Sequence, residues 1–151
     1  MTDLALMEES LCALGDTDIL PALFDRFFEA FPEQRPAFIN LEAASARMTN
    51  ETIEAMMGLA DGAPWVETTI VNFVDLHRNY GPIPHDQYAA FVDMTVTAME
   101  AAADPPWCLA QTKVWHSHAS ALKSMIEQAC LARPPHDSLF LKGASHVQDP
   151  A

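Results

Sequence analysis

The stretch Asn72-Phe73-Val74-Asp75-Leu76-His77-Arg78-Asn79-Tyr80-Gly81 decides how this chain reads. Its apolar residues do not alternate as in a strand. Val66, Ile70, Phe73, Val74 and His77 recur at three- and four-residue intervals, which places them on one face of a helix over 65–79. Gly81-Pro82-Ile83-Pro84 ends that helix. His77 lies one turn after Phe73 and two turns after Ile70, so it projects from the apolar face towards the core. A buried neutral imidazole must spend its ring nitrogens on partners. A metal ion can take one nitrogen while a carbonyl one turn back takes the other and fixes the tautomer. The alternative is a core histidine satisfied by backbone hydrogen bonds alone.

Outward from this helix the same periodicity continues. Towards the N-terminus, Leu4, Met7, Leu11 and Leu14 mark a helix over 3–14, stopped by Gly15. Asp16 or Asp18 caps the next, with Pro21 in its first turn, where a missing N–H costs little. Leu20, Leu23, Phe24, Phe27 and Phe31 form its stripe, and it ends before Pro32. The Pro-rich segment 32–38 reads as one tight turn that delivers Phe38 inward. A further helix covers 41–60, with Ile53, Met56, Met57 and Ala60 on one face. Asn40 can start it, and so can Thr49 or Asn50.

Beyond Pro84, a helix over 85–102 carries Tyr88, Phe91, Val92, Thr95, Met99 and Ala102 in register. Asp104-Pro105-Pro106 makes a turn. The last helix covers about 107–131, with Trp115, His118, Leu122, Met125, Ile126 and Ala129 in register, before Pro134-Pro135. No alternating run flanked by hairpin turns reads as a strand. The expected fold is all-α, six to seven helices around one core, with a domain over 1–132 and a loose C-terminal tail over 133–151.

Composition supports a packed domain and excludes several partners. Half of the 151 residues are hydrophobic, and a chain of this length buries about 70% of its unfolded surface without disulfide or metal staples. The net charge of −13 repels phosphate backbones and anionic lipid heads, so no nucleic-acid or membrane partner is expected. No apolar run approaches the ~20 residues that span a bilayer. Met1-Thr2-Asp3-Leu4 lacks the positive start of a secretory signal. Cys12, Cys108 and Cys130 are odd in number and form no CxxC pair. They read as reduced thiols filling the core of a cytoplasmic protein. His116 and His118 point to different sides of a helix, a poor two-ligand site. No Gly-rich phosphate loop and no Ser-His-Asp or Cys-His spacing is present.

Two stretches in order are similar to the bacterial single-domain globins. Phe24-Asp25-Arg26-Phe27-Phe28-Glu29-Ala30-Phe31-Pro32-Glu33-Gln34-Arg35-Pro36-Ala37-Phe38 resembles the family's second helix and following corner, whose final phenylalanine packs flat against haem. His77-Arg78-Asn79-Tyr80-Gly81, then Ile83 and His85-Asp86-Gln87-Tyr88, resembles the proximal histidine and the corner after it. Trp115 matches a tryptophan often found in the last helix. The resemblance runs from residue 4 to about 130.

That resemblance implies a globin fold holding haem b, with His77 as the iron ligand. The implied pocket is built from Phe24, Phe38, Thr49, Ile53, Met57, Phe73, His77, Ile83 and Phe91. The implied function is reversible binding of a diatomic gas (oxygen, carbon monoxide or nitric oxide) by a monomer or homodimer. Phe24 stands where the family often has a tyrosine that hydrogen-bonds bound oxygen. On the helix over 41–60, Thr49 lies one turn before Ile53, and other registers place Met48 or Thr52 at the distal position. None is His or Gln. Oxygen should therefore leave faster, since a donor there stabilises it by about 1–2 kcal/mol. A Met48 thioether could instead ligate iron. Tyr88 matches the tyrosine that accompanies the proximal histidine, whereas the partner glutamate falls at or near Cys130, putting strong proximal push in doubt.

Two alternatives remain from the sequence. One is nitric oxide dioxygenation or peroxide chemistry on the same haem. The chain ends where a flavin domain would begin, so nitric oxide turnover needs a separate reductase. An apolar distal side also argues against peroxide cleavage. The other is a haem-free globin-like sensor or interaction module, in which His77 is a core histidine.

Overall fold

The computed structural model describes residues 1–132, all in helices and their connections; the expected tail over 133–151 lies outside the described residues. Six α-helices follow in order: α1 (Asp3–Cys12), α2 (Leu20–Ala30), α3 (Leu41–Ala60), α4 (Trp65–His77), α5 (His85–Ala102) and α6 (Leu109–Ala132). Short 3₁₀ turns occupy Pro32–Ala37 and Arg78–Tyr80. No strand occurs among the described residues, and no helix among them is long and apolar enough to cross a membrane.

Local chemistry sets the ends. The Thr2 hydroxyl accepts from the Ala5 N–H at 3.1 Å and starts α1. The Asn40 Oδ1 accepts from the Ala43 N–H at 3.2 Å, so α3 begins at Leu41 and runs unbroken through Thr49 and Asn50. At α2 the helix is entered from Ile19, and Asp18 Oδ1 accepts from the Leu20 N–H at 3.0 Å. Phe31 leaves the helical path as the C-cap of α2 instead of continuing its stripe. The α4 helix ends at His77, two residues short of the expected Asn79, because the chain tightens into the turn Arg78–Tyr80 and then reverses at Gly81. Gly81 has φ +94°, a conformation that a side chain would strain.

The long helix α6 is the hub. It packs against α1, α3, α4 and α5, while α2 lies across α5 and α3. The main core joins Met7, Met56, Val66, Ile70, Val74, Val92, Val96, Met99, Trp115 and Leu122. A smaller aromatic core joins Leu23, Phe24, Phe27 and Phe91, with Phe28, Phe31 and Phe38 against it. Where α3 meets α4, a Cβ on Gly58 would come within 2.6 Å of Val66 Cγ2 and 2.8 Å of the Trp65 ring. The close approach of these two helices therefore depends on glycine.

A buried polar clamp ties α1 to α6. Trp107 precedes α6 yet is buried, and its ring stacks on that of Trp115 at 5.8 Å and 10°. The Trp115 Nε1–H donates to Ser10 Oγ at 2.6 Å, the Trp107 Nε1–H to the Ser10 carbonyl at 3.1 Å, and Ser10 Oγ to the Met7 carbonyl at 2.6 Å. All these polar groups are paired, as burial requires. The cysteines depart from expectation: Cys12 and Cys108 are exposed, and only Cys130 is partly buried. Both exposed ones sit at helix margins, just outside the packed stripes. His118 pairs with Asp3 at 3.0 Å, and His85 lies 3.9 Å from Glu127.

Candidate functional site

A cavity of about 180 Å³ lies between the aromatic core, α3, α4 and the start of α5. It is half open to solvent, walled mostly by apolar and aromatic side chains around a histidine, and is the candidate binding site. Of the residues expected to build the site, Phe38, Phe73, His77, Ile83 and Phe91 line this cavity. The other four do not.

Phe24 sits one layer behind. Its ring is 5.7 Å from Phe38 and 5.5 Å from Phe91, so it supports the wall rather than forming it. Thr49, Ile53 and Met57 are on the wrong face of α3. The cavity side of that helix is Ala44, Arg47, Met48, Glu51 and Thr52, a single i, i+3, i+4, i+7, i+8 stripe. At 3.6 residues per turn, Ile53 lies about 180° around the helix from Ala44. Ile53 and Met57 pack on the main core instead, and Thr49 is buried with its hydroxyl unpaired. Met48 and Thr52, the residues that other registers of this helix offered, line the cavity.

The cavity's chemistry centres on His77. Its Nδ1 donates to the Phe73 carbonyl one turn back at 2.8 Å. A carbonyl can only accept, so the proton is on Nδ1 and Nε2 keeps its lone pair. Burial pushes the His77 pKa below the usual histidine value; the Phe73 bond and the Glu51 charge partly oppose this, and Arg47 adds slightly to it. The ring is neutral at pH 7 and can ligate a metal. It is packed by Phe73 at 4.2 Å, Tyr88 at 5.6 Å and Tyr80 at 6.3 Å between ring centroids. Burial, and secondarily the nearby Cys130, push the Tyr88 hydroxyl far above the usual tyrosine pKa, so it stays protonated.

The wall across from His77 is less apolar than expected. Arg47 Nε meets Glu51 Oε1 at 3.3 Å in an exposed i,i+4 pair, and both side chains line the cavity. The Thr52 hydroxyl donates to the Met48 carbonyl at 2.7 Å, so its proton is already committed. Gln34 Nε2 donates to Gln87 Oε1 at 2.8 Å, and Gln87 Nε2 to Glu33 Oε1 at 3.2 Å, which ties the Pro32–Ala37 turn to the start of α5. None of Arg47, Glu51, Gln34 or Gln87 was singled out by apolar periodicity, which selects core faces and passes over a mixed wall. The signal available for α3 was the i,i+4 spacing of Arg47 and Glu51. No family model, characterised protein or solved structure matches the chain.

The depressed His77 pKa carries a pH signature. Between the native pKa and about 6.5 the unfolded chain binds a proton that the native state refuses, so stability is complete above 6.5 and is lost as pH falls through that window. The urea midpoint of the ligand-free protein is expected to drop between pH 7.5 and 5.5. His77→Phe should show a smaller drop over the same interval. Equal drops in the two proteins would assign the loss to other groups.

Proposed function

We propose that this chain is a globin-like haem protein, with His77 as the axial iron ligand, that reversibly binds a diatomic gas. The observation that carries the reading is the His77 Nδ1–H bond to the Phe73 carbonyl, which leaves Nε2 as a lone pair on a ring lining an apolar-walled cavity. The donor set fits haem. Imidazole suits iron, the backbone bond orients the ring, and Phe38, Phe73, Ile83 and Phe91 offer the apolar surfaces a flat macrocycle needs. Among the described residues no three His, Cys, Asp or Glu side chains converge on a point. His77 alone offers one nitrogen, which suits a metal whose other ligands come with a macrocycle. Arg47, paired with Glu51, is the cationic group at this cavity that can meet the acidic edge such a group carries.

When bound, haem supplies the iron at which the gas is held; the protein sets access and polarity. The Thr52 proton is committed and Met48 has none to give, so the donor that α3 keeps for a polar ligand such as oxygen is the Arg47 guanidinium, paired through Nε with Glu51. Carbon monoxide needs no such bond. The test is an absorption spectrum of the haem-loaded protein, oxidised, reduced, and reduced with carbon monoxide. A Soret band that shifts on adding carbon monoxide is the expected result. A folded, colourless protein that refuses added haem would overturn the reading and favour a haem-free interaction module.

A further inference from the structure

A flat macrocycle held by His77 on one face has a second face open to a ligand. The wall across from His77 is the α3 stripe of Ala44, Arg47, Met48, Glu51 and Thr52. Ala44 has no donor atom in its side chain. Arg47 is a guanidinium without a lone pair to give. The Glu51 carboxylate is committed to that guanidinium at 3.3 Å. The Thr52 hydroxyl is tied to the Met48 carbonyl at 2.7 Å. Met48 is left, with a thioether that carries lone pairs, no charge and no bound proton. Its side chain is partly buried against the aromatic core whose Phe38 and Phe91 also wall the cavity. The other polar lining residues are occupied or misplaced. Gln34 and Gln87 spend their amides on one another and on Glu33. Tyr80 and Tyr88 stand beside the His77 ring itself, on its side of the cavity.

We propose that the Met48 thioether is the second axial ligand of the iron in the gas-free protein, and that a gas binds by displacing it. The proposal rests on the haem reading. A thioether is a soft, neutral ligand, so Met48 favours the reduced iron over the oxidised and raises its reduction potential. Methionine is unbranched, with three rotatable bonds, so the sulfur can swing off and back without a shift of α3. The exchange moves no electron and breaks no covalent bond of the protein. Sulfur leaves the iron and the gas takes its place. The apparent gas affinity is then reduced to the fraction of molecules in which Met48 is off. A thioether alone is a weak hold, so His77 stays the ligand on which haem retention depends.

The experiment loads the full chain with haem and reads isotope-labelled methionine methyl groups by NMR, the reduced absorption spectrum, the reduction potential and the rate of carbon monoxide binding. Of the eight methionines, one methyl in the reduced protein should lie far upfield, moved by the haem ring current. It should return to the ordinary range on adding carbon monoxide. Met48→Leu keeps the apolar bulk and should keep a Soret band. It should lose the upfield methyl, show a five-coordinate reduced spectrum and a lower potential, and bind carbon monoxide about tenfold faster. Met57→Leu, which lies on the main core, should match the native protein in every readout. A Soret band with no upfield methyl, or a Met48→Leu protein with the native reduced spectrum and carbon monoxide rate, overturns this proposal alone. An upfield methyl that persists in Met48→Leu does the same. Failure of the native protein to form a Soret band overturns the haem reading and this proposal with it.

Discussion

His77→Gly is expected, on the proposed haem reading, to abolish the Soret band of the haem-loaded protein while leaving the helical fold in place. Removing the imidazole deletes the one neutral nitrogen among the described residues of the cavity with a free lone pair suited to iron, since the Nδ1 proton of His77 is spent on Phe73. The fold should survive because residue 77 closes α4 at its C-terminal end, where glycine costs about 1 kcal/mol of helix propensity or less. Free imidazole added to the glycine variant should fill the vacated position and restore the band. Absorption spectra with and without imidazole, beside far-ultraviolet circular dichroism, make the measurement. An undiminished native band in His77→Gly would mean that another side chain, Met48 foremost, ligates the iron.

Trp115→Ala is the second large effect, and it falls on stability rather than on the site. Trp115 is fully buried at the junction of α1 and α6, and truncating such a ring costs about 3–5 kcal/mol through lost burial and the cavity left behind. The change also strips Ser10 Oγ of its donor and Trp107 of its stacking partner. Against a total stability of roughly 5–15 kcal/mol, the variant is expected to lose much of its folding free energy. Trp115→Phe keeps most of the apolar bulk but not the N–H, and should lose about 1–3 kcal/mol. Urea midpoints at pH 7.5 separate the two. A Trp115→Ala midpoint close to the native one would show that the α1–α6 clamp is dispensable.

The helices were legible in the sequence because their causes are local. Three- and four-residue spacing, Pro21 in a first turn and the breaks at Gly15 and Gly81 act within a turn or two of where they are written, while the choice of Asn40 over Thr49 or Asn50 as the start of α3 came from the structure. The placing of His77 on an apolar face follows from the same spacing. The faces of α3 were not legible in this way. Its apolar residues Ile53 and Met57 suggest a pocket wall, yet they belong to the main core, and the cavity takes the mixed stripe through Arg47, Met48 and Glu51. A helix with two partly apolar faces does not announce which one meets a ligand. That depends on where α6 and α4 press against it.

The sequence by itself determined an all-α chain, helix boundaries to within about two residues except for the start of α3, and an inward histidine one turn after a phenylalanine. Periodicity and capping are short-range and survive without knowledge of neighbours. Only the tertiary structure decided which residues surround that histidine. It set Phe24 behind Phe38, turned Thr49, Ile53 and Met57 away, and brought Arg47, Glu51, Gln34 and Tyr80 to the cavity. It also joined Ser10 to Trp115 across 105 positions of chain. Such contacts arise from the way whole helix faces compete for one core, and no local pattern encodes the outcome of that competition.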